Sequence, residues 1–267
     1  MNKINEEICE FLGWHIGDGC ITKKRYQYAL TGDIIEEYDF YKNVIIPTFN
    51  KIFKEYLRQP ITIKSYKSVG VCGIYLSNKS FILHLQREFD LPAGKKTNIK
   101  IPVCIETKEQ KIHFLRGLFD TDGSIYFCRS NFKTKKPSPY ATFHYKPKIK
   151  LATISEELIL GVYEMLLGLG FSPRLYNPRK QRENEQTIYA VVLDKTADVK
   201  KWTDEIGFRS VKHSSKIAIW KKYGFVPPKT TLQKRFKILN EETNPLDYYP
   251  SNDIFSLEGI KKKLIPK

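Results

Sequence analysis

The chain has 267 residues, of which 41% are hydrophobic, and its 45 Lys and Arg residues outnumber 29 Asp and Glu residues to give a net charge of +16. This composition supports a buried core and excludes a disordered chain, and the lack of any run of about 20 apolar residues predicts that no helix spans a membrane. A basic excess of this size in a folded chain most often serves a polyanion, of which nucleic acid is the commonest.

The cysteines and the N-terminal residues indicate the compartment. Five cysteines are scattered along the chain and are never spaced C-x-x-C, which argues against a disulfide framework and a structural zinc site. The first residues include acids where a secretory signal would have a basic start and an apolar core. We therefore expect an intracellular protein, with the cytoplasm and an organelle matrix both left open.

The first half of the chain predicts a helix, a strand-like segment, a long helix, two strands and a closing helix. Apolar residues at helical spacing define the long helix, and Pro47 inside it predicts a kink. In order, these elements are residues 5–18, 20–30, 36–56, 61–66, 71–76 and 80–89.

The second half repeats this order. Its elements are residues 109–121, 124–128, 148–153, 156–169, 173–177, 187–193 and 197–206, with an additional loop or hairpin tip over 131–147. Such a repeat indicates an internal duplication. We expect four regions: an N-terminal subdomain (1–92), a linker (93–108), a C-terminal subdomain (109–224) and a C-terminal extension (225–267) of weak periodicity.

The opening helix of each half ends in the same pattern. A glycine is followed four positions later by a small residue, then by Asp-Gly and a strand. Residues four apart lie on one face of a helix. Because an interior glycine costs a helix about 1 kcal/mol relative to alanine, the pattern predicts that the two helices pack at short distance through these faces. The residues are Gly13, Gly17, Asp18 and Gly19 in the first half, and Gly117, Thr121, Asp122 and Gly123 in the second.

Asp18 and Asp122 stand at the C-terminal ends of their helices, where the helix dipole is negative and several carbonyls lack partners. A carboxylate is unfavourable there unless a cation offsets it, and carboxylate with carbonyl oxygens is the ligand set that Mg²⁺ prefers. The alternative is that Asp-Gly only stops the helix, with the glycine in a left-handed conformation. Two copies at the same offsets favour a cation site between the packed helices.

These two segments resemble the paired signature of LAGLIDADG homing endonucleases in their single-chain form, and the resemblance covers roughly residues 5–224. It implies an α+β fold of two pseudo-symmetric αββαββα subdomains packed through the two motif helices, with antiparallel sheets that form a DNA-binding saddle. The first motif departs from the family pattern, because Ile16 stands where an earlier aspartate is common. The second motif keeps that aspartate, Asp120, at a position that usually serves structure.

The resemblance implies a metal-dependent nuclease centre. Asp18 and Asp122 would be the catalytic metal ligands, and the carbonyls of Gly17 and Thr121 would be additional ligands. Mg²⁺ is the expected ion, with Mn²⁺ able to replace it and Ca²⁺ binding without supporting cleavage.

Lysines that follow the closing helix of each half are the candidates for stabilising charge on the phosphate during cleavage. They are Lys96, with Lys95 as the alternative, and Lys212.

The expected partner is double-stranded DNA with a long, partly pseudo-palindromic site, bound by a monomer. Residues 108–224 alone carry a net charge of +10, and basic side chains on exposed strands can contact both phosphates and base edges in a major groove. The candidate DNA contacts are Lys23, Lys24, Arg25, Lys64, Lys67, Arg129, Lys133, Lys148, Lys150, Arg174 and Arg179.

Two other functions share these features. An RNA-binding maturase would assist splicing of a host intron, and nothing in the sequence decides whether intron RNA is a further partner. A DNA-binding regulator would keep the fold without cleavage, but a pure binder has no use for two acids that face a polyanion.

Overall fold

The structure is a computed structural model that describes residues 4–22, 26–129, 139–180, 185–249 and 256–264. Four of the candidate DNA contacts, Lys23, Lys24, Arg25 and Lys133, lie outside the described residues. Across the described ranges, no helix is long and apolar enough to cross a membrane.

The first half follows the predicted order of elements. Helix α1 is followed by a hairpin, a helical segment in several parts, a second hairpin and a closing helix. The bounds are α1 (Glu6–Asp18), β1 (Gly19–Ile21), β2 (Gln27–Asp33), α2 (Tyr38–Phe40), a π-helical turn (Tyr41–Ile45), α3 (Ile46–Ile52), a 3₁₀ turn (Lys54–Tyr56), β3 (Lys64–Tyr66), a 3₁₀ turn (Lys67–Val69), β4 (Val71–Ser77) and α4 (Lys79–Phe89).

The second half has the same arrangement and then continues into further helices. Its elements are α5 (Lys108–Thr121), β5 (Gly123–Cys128), a 3₁₀ turn (Pro139–Thr142), β6 (Lys146–Thr153), α6 (Glu156–Gly168), β7 (Arg174–Arg179), β8 (Ile188–Leu193) and α7 (Thr196–Glu205). The remaining elements are α8 (Val211–Tyr223), α9 (Leu232–Leu239), a 3₁₀ turn (Pro245–Tyr248) and α10 (Leu257–Leu264).

Each half forms a four-stranded antiparallel sheet, and the two sheets have equivalent strand orders, β1-β2-β4-β3 and β5-β6-β8-β7. Helices α1 and α5 occupy equivalent positions and pack against each other. The predicted α+β fold of two αββαββα units joined through their opening helices is therefore confirmed.

Both opening helices start with a side-chain cap. Asn5 accepts a hydrogen bond from the backbone N–H of Ile8 at 2.8 Å, and Thr107 and Gln110 form a reciprocal capping box at the start of α5. Such caps satisfy the free N–H groups of the first turn and define where each helix begins.

The helical segment around Pro47 departs from a regular α-helix, as predicted. The turn before it, Tyr41–Ile45, is π-helical. A proline has no N–H and its ring collides with the carbonyl four residues earlier, so a wider turn relieves that contact. The sequence pattern correctly predicts the disturbance, although not its form.

Strand β3 is shorter than the predicted strand over residues 61–66. The side chain of Asn50 uses both backbone groups of Ile61: its amide donates to the Ile61 carbonyl at 2.9 Å, and its oxygen accepts from the Ile61 N–H at 2.7 Å. Those groups are then not available to a neighbouring strand, so pairing with β4 starts at Lys64.

The sequence gives no indication of α8, which packs against β5, α9 and α10. Its buried residues, His213, Ser215, Ile217, Ile219, Trp220 and Tyr223, lie on more than one face of the helix. Because these buried residues cover a wide part of the helix surface and include His213 and Ser215, no clear apolar stripe marks the helix in the sequence.

Candidate active site

Helices α1 and α5 touch backbone to backbone. A Cβ added to Gly13 would overlap the carbonyl oxygen of Phe114, and a Cβ added to Gly117 would overlap the carbonyl oxygen of Glu10. One turn further on, a Cβ at Gly17 would overlap the side chain of Thr121. The predicted short contact between the two motif helices is therefore confirmed, and it holds their C-terminal ends side by side.

The glycines that follow the two aspartates do not stop the helices by a left-handed conformation. Gly19 is extended, with φ −72° and ψ 150°, and Gly123 is not among the glycines of positive φ. A Cβ at Gly19 would overlap His15, and one at Gly123 would overlap the backbone of Phe119. The interpretation of Asp-Gly as a left-handed helix stop is thus wrong, because glycine is required here for space as the chain turns closely past its own helix.

Asp18 and Asp122 lie near each other at the two helix ends. Burial, followed by the negative charges of Asp122 and Glu37, raises the pKa of Asp18 to about 7. Burial also raises the pKa of Asp122, against the opposing effect of Lys96 and Lys212. Two acids that resist ionisation together form a site whose charge a cation would stabilise.

Lys96 lies against the C-terminal end of α1. Its Nζ donates to the carbonyl oxygens of His15 at 2.7 Å, Ile16 at 3.0 Å and Gly17 at 2.7 Å. Burial lowers the pKa of Lys96 to about 8, while Asp122 and Asp18 oppose that shift. Lys95 is exposed, so Lys96 is the lysine that the structure brings to the two aspartates.

Lys212 belongs to the same cluster but has a different partner. Its Nζ forms an ion pair with Glu37 at 2.9 Å, and Glu37 is 5% exposed. The other oxygen of Glu37 accepts from the backbone N–H of Asp33 at 2.7 Å. Lys212 is therefore held through an acid of the first half and acts on the aspartates from there.

Glu37 and Tyr41 are site residues that the sequence did not indicate. Tyr41 is buried and donates its hydroxyl hydrogen bond to Asp18 Oδ2 at 3.3 Å. Burial and the nearby charges of Asp18 and Glu37 raise the pKa of Tyr41 well above its usual value, which keeps it a neutral donor. Glu37 is conspicuous as a buried acid in a basic chain. Its burial is visible only in the structure, so the sequence offers no signal for it.

Asp120 is fully buried and has a structural position. Its two carboxylate oxygens accept from the backbone N–H groups of Arg209 and Ser210, each at 3.0 Å. Burial raises the pKa of Asp120 to about 8, and these hydrogen bonds oppose the shift. Asp120 therefore ties the motif helix α5 to the start of α8, two residues before Lys212.

The candidate DNA contacts in the described ranges fall into two groups. Lys64 is on β3 and Lys67 follows it, both exposed. The second sheet has the larger group: Lys148 and Lys150 are on β6, Arg174 and Arg179 are on β7, and Arg129 follows β5. Lys150 and Arg174 come together around Tyr176, with the cations 5.8 Å and 5.3 Å from the centre of its ring.

The donors at the helix ends suit a hard divalent cation. Two carboxylates and the adjacent carbonyls of Gly17 and Thr121 are all oxygen ligands, as Mg²⁺ and Ca²⁺ require. One lone pair of the Gly17 carbonyl already accepts from Lys96. Within the described ranges no group of three or more His, Cys, Asp and Glu side chains is placed to hold a metal ion.

Residues 109–207 match the sequence profile of the LAGLIDADG-like domain. A solved structure of an I-SmaMI variant has the same fold, with a TM-score of 0.51 and 9% identity, and the match covers 89% of this chain and 97% of that one. Residues 109–207 are thus similar to a LAGLIDADG-like domain, and the described part of the chain has the fold of a two-motif, single-chain LAGLIDADG protein. The resemblance drawn from the sequence is confirmed.

Other proteins are also similar to this chain. The structure of I-DmoI in complex with DNA and Ca has a TM-score of 0.49 and 17% identity, covering 75% of this chain and 88% of that chain. Full-length WhiA from Thermatoga maritima has a TM-score of 0.43 and 15% identity, covering 90% and 61%. A replication factor C small subunit of Methanocaldococcus jannaschii is 25% identical over 214 residues, which are 80% of this chain. The chain spans about a tenth of the length of this curated relative.

Proposed function

We propose that the chain is a site-specific endonuclease that hydrolyses phosphodiester bonds of double-stranded DNA with divalent metal ions. The observation that carries this proposal is the pair Asp18 and Asp122 at the ends of two closely packed helices, with Lys96 beside them. The fold neighbours support a nucleic-acid partner, since one of them is I-DmoI bound to DNA.

Asp18 and Asp122 would hold the metal, with the carbonyls of Gly17 and Thr121 as further oxygen donors. A bound divalent ion would lower the pKa of a water ligand and neutralise charge on the phosphate. Mg²⁺ is the proposed ion, Mn²⁺ would replace it, and Ca²⁺ would bind without supporting cleavage.

The lysines and Tyr41 would complete the centre. Lys96 places its ammonium group beside Asp18 and Asp122, where the positive charge would stabilise negative charge on the phosphate. Lys212, held by Glu37, would do the same from the other half. Tyr41 would orient Asp18 through its hydroxyl.

The two sheets would bind the major groove on either side of the cleavage point. Their outward residues include Lys64, Lys148, Lys150 and Arg174, and the remaining sequence candidates belong to the same proposed surface. We propose that residues 1–92 and 109–224 form the two DNA-binding units of a monomer, with 93–108 as linker and 225–267 as extension.

A cleavage assay tests this proposal. Sites are first selected from a randomised duplex library and placed in a supercoiled plasmid. In Mg²⁺, the wild-type chain should convert the plasmid to linear form. Asp18→Asn and Asp122→Asn keep shape but remove one charge each, and either should reduce the cleavage rate by orders of magnitude while site binding persists.

The nicked fraction shows whether the centres are independent. Nicking by a single variant would mean that each aspartate serves one strand, and loss of both cuts would mean that they share the metal. Full double-strand cleavage by the double variant would contradict the assignment. Tight binding by wild type without cleavage in Mg²⁺ or Mn²⁺ would indicate a regulator or a maturase instead.

A further inference from the structure

An arginine on the outward face of the second sheet is held in place by its neighbours. Arg174 Nη2 forms an ion pair with Asp194 Oδ2 at 2.8 Å, and the guanidinium lies 5.3 Å from the centre of the Tyr176 ring. The orientation of this guanidinium is thus fixed before any partner binds.

The register of the strands places this group on the face away from the helices. Val192 lies between Lys150 and Arg174 in the ladder, so these three residues point to the same side. The neighbouring residues Val191 and Leu193 point to the other side, into the core. The side chain of Arg174 is 58% exposed despite its ion pair, so its remaining donors are available to a partner.

The donors of Arg174 and the acceptor of Asp194 match the groups of one kind of base pair. In the major groove, guanine presents two acceptors, N7 and O6, and its cytosine presents an amino donor. Arg174 offers a donor fork and Asp194 offers an acceptor directly beside it. An adenine–thymine pair instead presents a donor beside the purine N7 and a methyl group on the thymine.

The carboxylate also argues against a phosphate contact. A phosphate next to Arg174 would lie close to the negative charge of Asp194, which repels it. Lys148, which is paired with Tyr126 across β5 and β6, has a simple point charge and suits a phosphate. The two side chains therefore have different expected roles on one surface.

We propose that Arg174, with Asp194 beside it, reads one guanine–cytosine base pair in the half-site under the second sheet. This inference rests on the proposed function, because it takes the second sheet as the surface that meets the DNA. The role is recognition of sequence, separate from the chemistry at Asp18 and Asp122.

Site selection without cleavage tests the inference. The wild-type chain is used to select duplex DNA in Ca²⁺, and relative affinities are then measured for every single-base change in the selected site. Wild type should require guanine–cytosine at one position of the half-site under the second sheet. Arg174→Ala and Arg174→Lys should lose about ten- to a hundredfold of discrimination at that position, with the other positions unchanged. Thermal melts confirm that each variant is folded.

The control variants distinguish recognition of a base pair from electrostatic attraction to phosphate. Lys148→Ala should weaken binding to every sequence by a similar factor and leave the preference intact, while Asp194→Asn should reduce discrimination at the same position as Arg174→Ala. The inference is overturned if Arg174→Lys keeps the wild-type preference, or if Arg174→Ala only weakens all sites equally. Failure of wild type to select any sequence would overturn the proposed function along with it.

Discussion

The two motif helices end in the same backbone arrangement but in different polar surroundings. At the end of α1, Lys96 donates to three carbonyls, those of His15, Ile16 and Gly17. At the end of α5, the hydroxyl of Thr121 donates to the carbonyls of Gly117 and Leu118, each at 3.1 Å. A distant cation thus lies on the end of α1, whereas near the end of α5 a threonine hydroxyl contacts carbonyls of its own helix.

The departure from the motif explains this difference. Asp120 fixes the start of α8 in the second half, so Lys212 is held within a helix and pairs with Glu37. The first half has Ile16 at the equivalent position, and Lys96, in a segment without regular structure, lies on the helix end itself. A duplicated backbone therefore supports two helix ends with different polar contacts, and the presence of Asp120 in only one half contributes to that difference.

The C-terminal extension adds a further difference between the two halves, because it contacts the first half through Arg235. Loss of that contact should have the largest effect on stability. Arg235 on α9 is 1% exposed and donates to Glu36, Ser215 and the Thr230 carbonyl, which joins the extension to the first half. Arg235→Met should lower the free energy of unfolding by about 3 kcal/mol, because it leaves several buried groups without their donor. Urea unfolding measures this. The exposed neighbour is the control, since Lys234→Met should change stability by about 0.5 kcal/mol or less; equal effects would mean that the buried network carries no stability.

The two lysines test the comparison directly. Lys96→Met should lower the cleavage rate by about 10²–10³-fold, the usual cost of losing one preorganised donor at a reacting phosphate. Lys212→Met should cost about tenfold, because its charge is already shared with Glu37. Single-turnover rates on duplexes labelled on each strand measure both. Equal losses for the two variants would show that the centres are equivalent despite their different contacts.

The helix contact can be broken with a matched pair of glycines. Gly13→Ala places a Cβ against the backbone of α5 and should cost about 2 kcal/mol. Gly168 ends α6 and has nothing within 4 Å of an added Cβ, so Gly168→Ala should be neutral or stabilise by up to about 1 kcal/mol. Thermal and urea unfolding give both values. A neutral Gly13→Ala would contradict the short contact between α1 and α5.

The raised pKa of Asp18 should also affect how the stability of the chain depends on pH. The pKa of Asp18 is raised by burial and nearby acids to about 7 in the folded chain, so the folded state binds more protons than the unfolded state between about pH 4 and 7. Without metal, stability should fall as the pH rises through that window, by about 1.4 kcal/mol per pH unit at most for this group.

Asp18→Asn removes that contribution, so its stability should fall less steeply than that of wild type when both are unfolded in urea from pH 5 to 8. A slope remains from Asp120, whose pKa is raised by burial to about 8. Identical slopes for wild type and variant would show that Asp18 is not perturbed.

The sequence predicts the frame of the site better than its polar contacts. The repeated glycine and Asp-Gly spacing marks the two helix ends, because backbone contact needs glycine at fixed positions. Glu37 and Tyr41 reach the site through packing of the helical segment after β2, which no local pattern encodes. The choice between Lys95 and Lys96 depends on which side chain turns toward α1, and that is set by tertiary structure. For β3, one side chain, Asn50, overrides a pattern that is otherwise typical of a strand.

The central claim is that Asp18 and Asp122 together hold a divalent cation at the helix ends. Calorimetric titration of Ca²⁺ into the chain bound to its selected duplex tests it without relying on cleavage. Wild type should bind Ca²⁺ with a measurable heat, Asp18→Asn and Asp122→Asn should each weaken binding at least about tenfold, and the double variant should show no saturable binding. Equal Ca²⁺ affinity for the wild type and the double variant would contradict the claim and place any metal elsewhere.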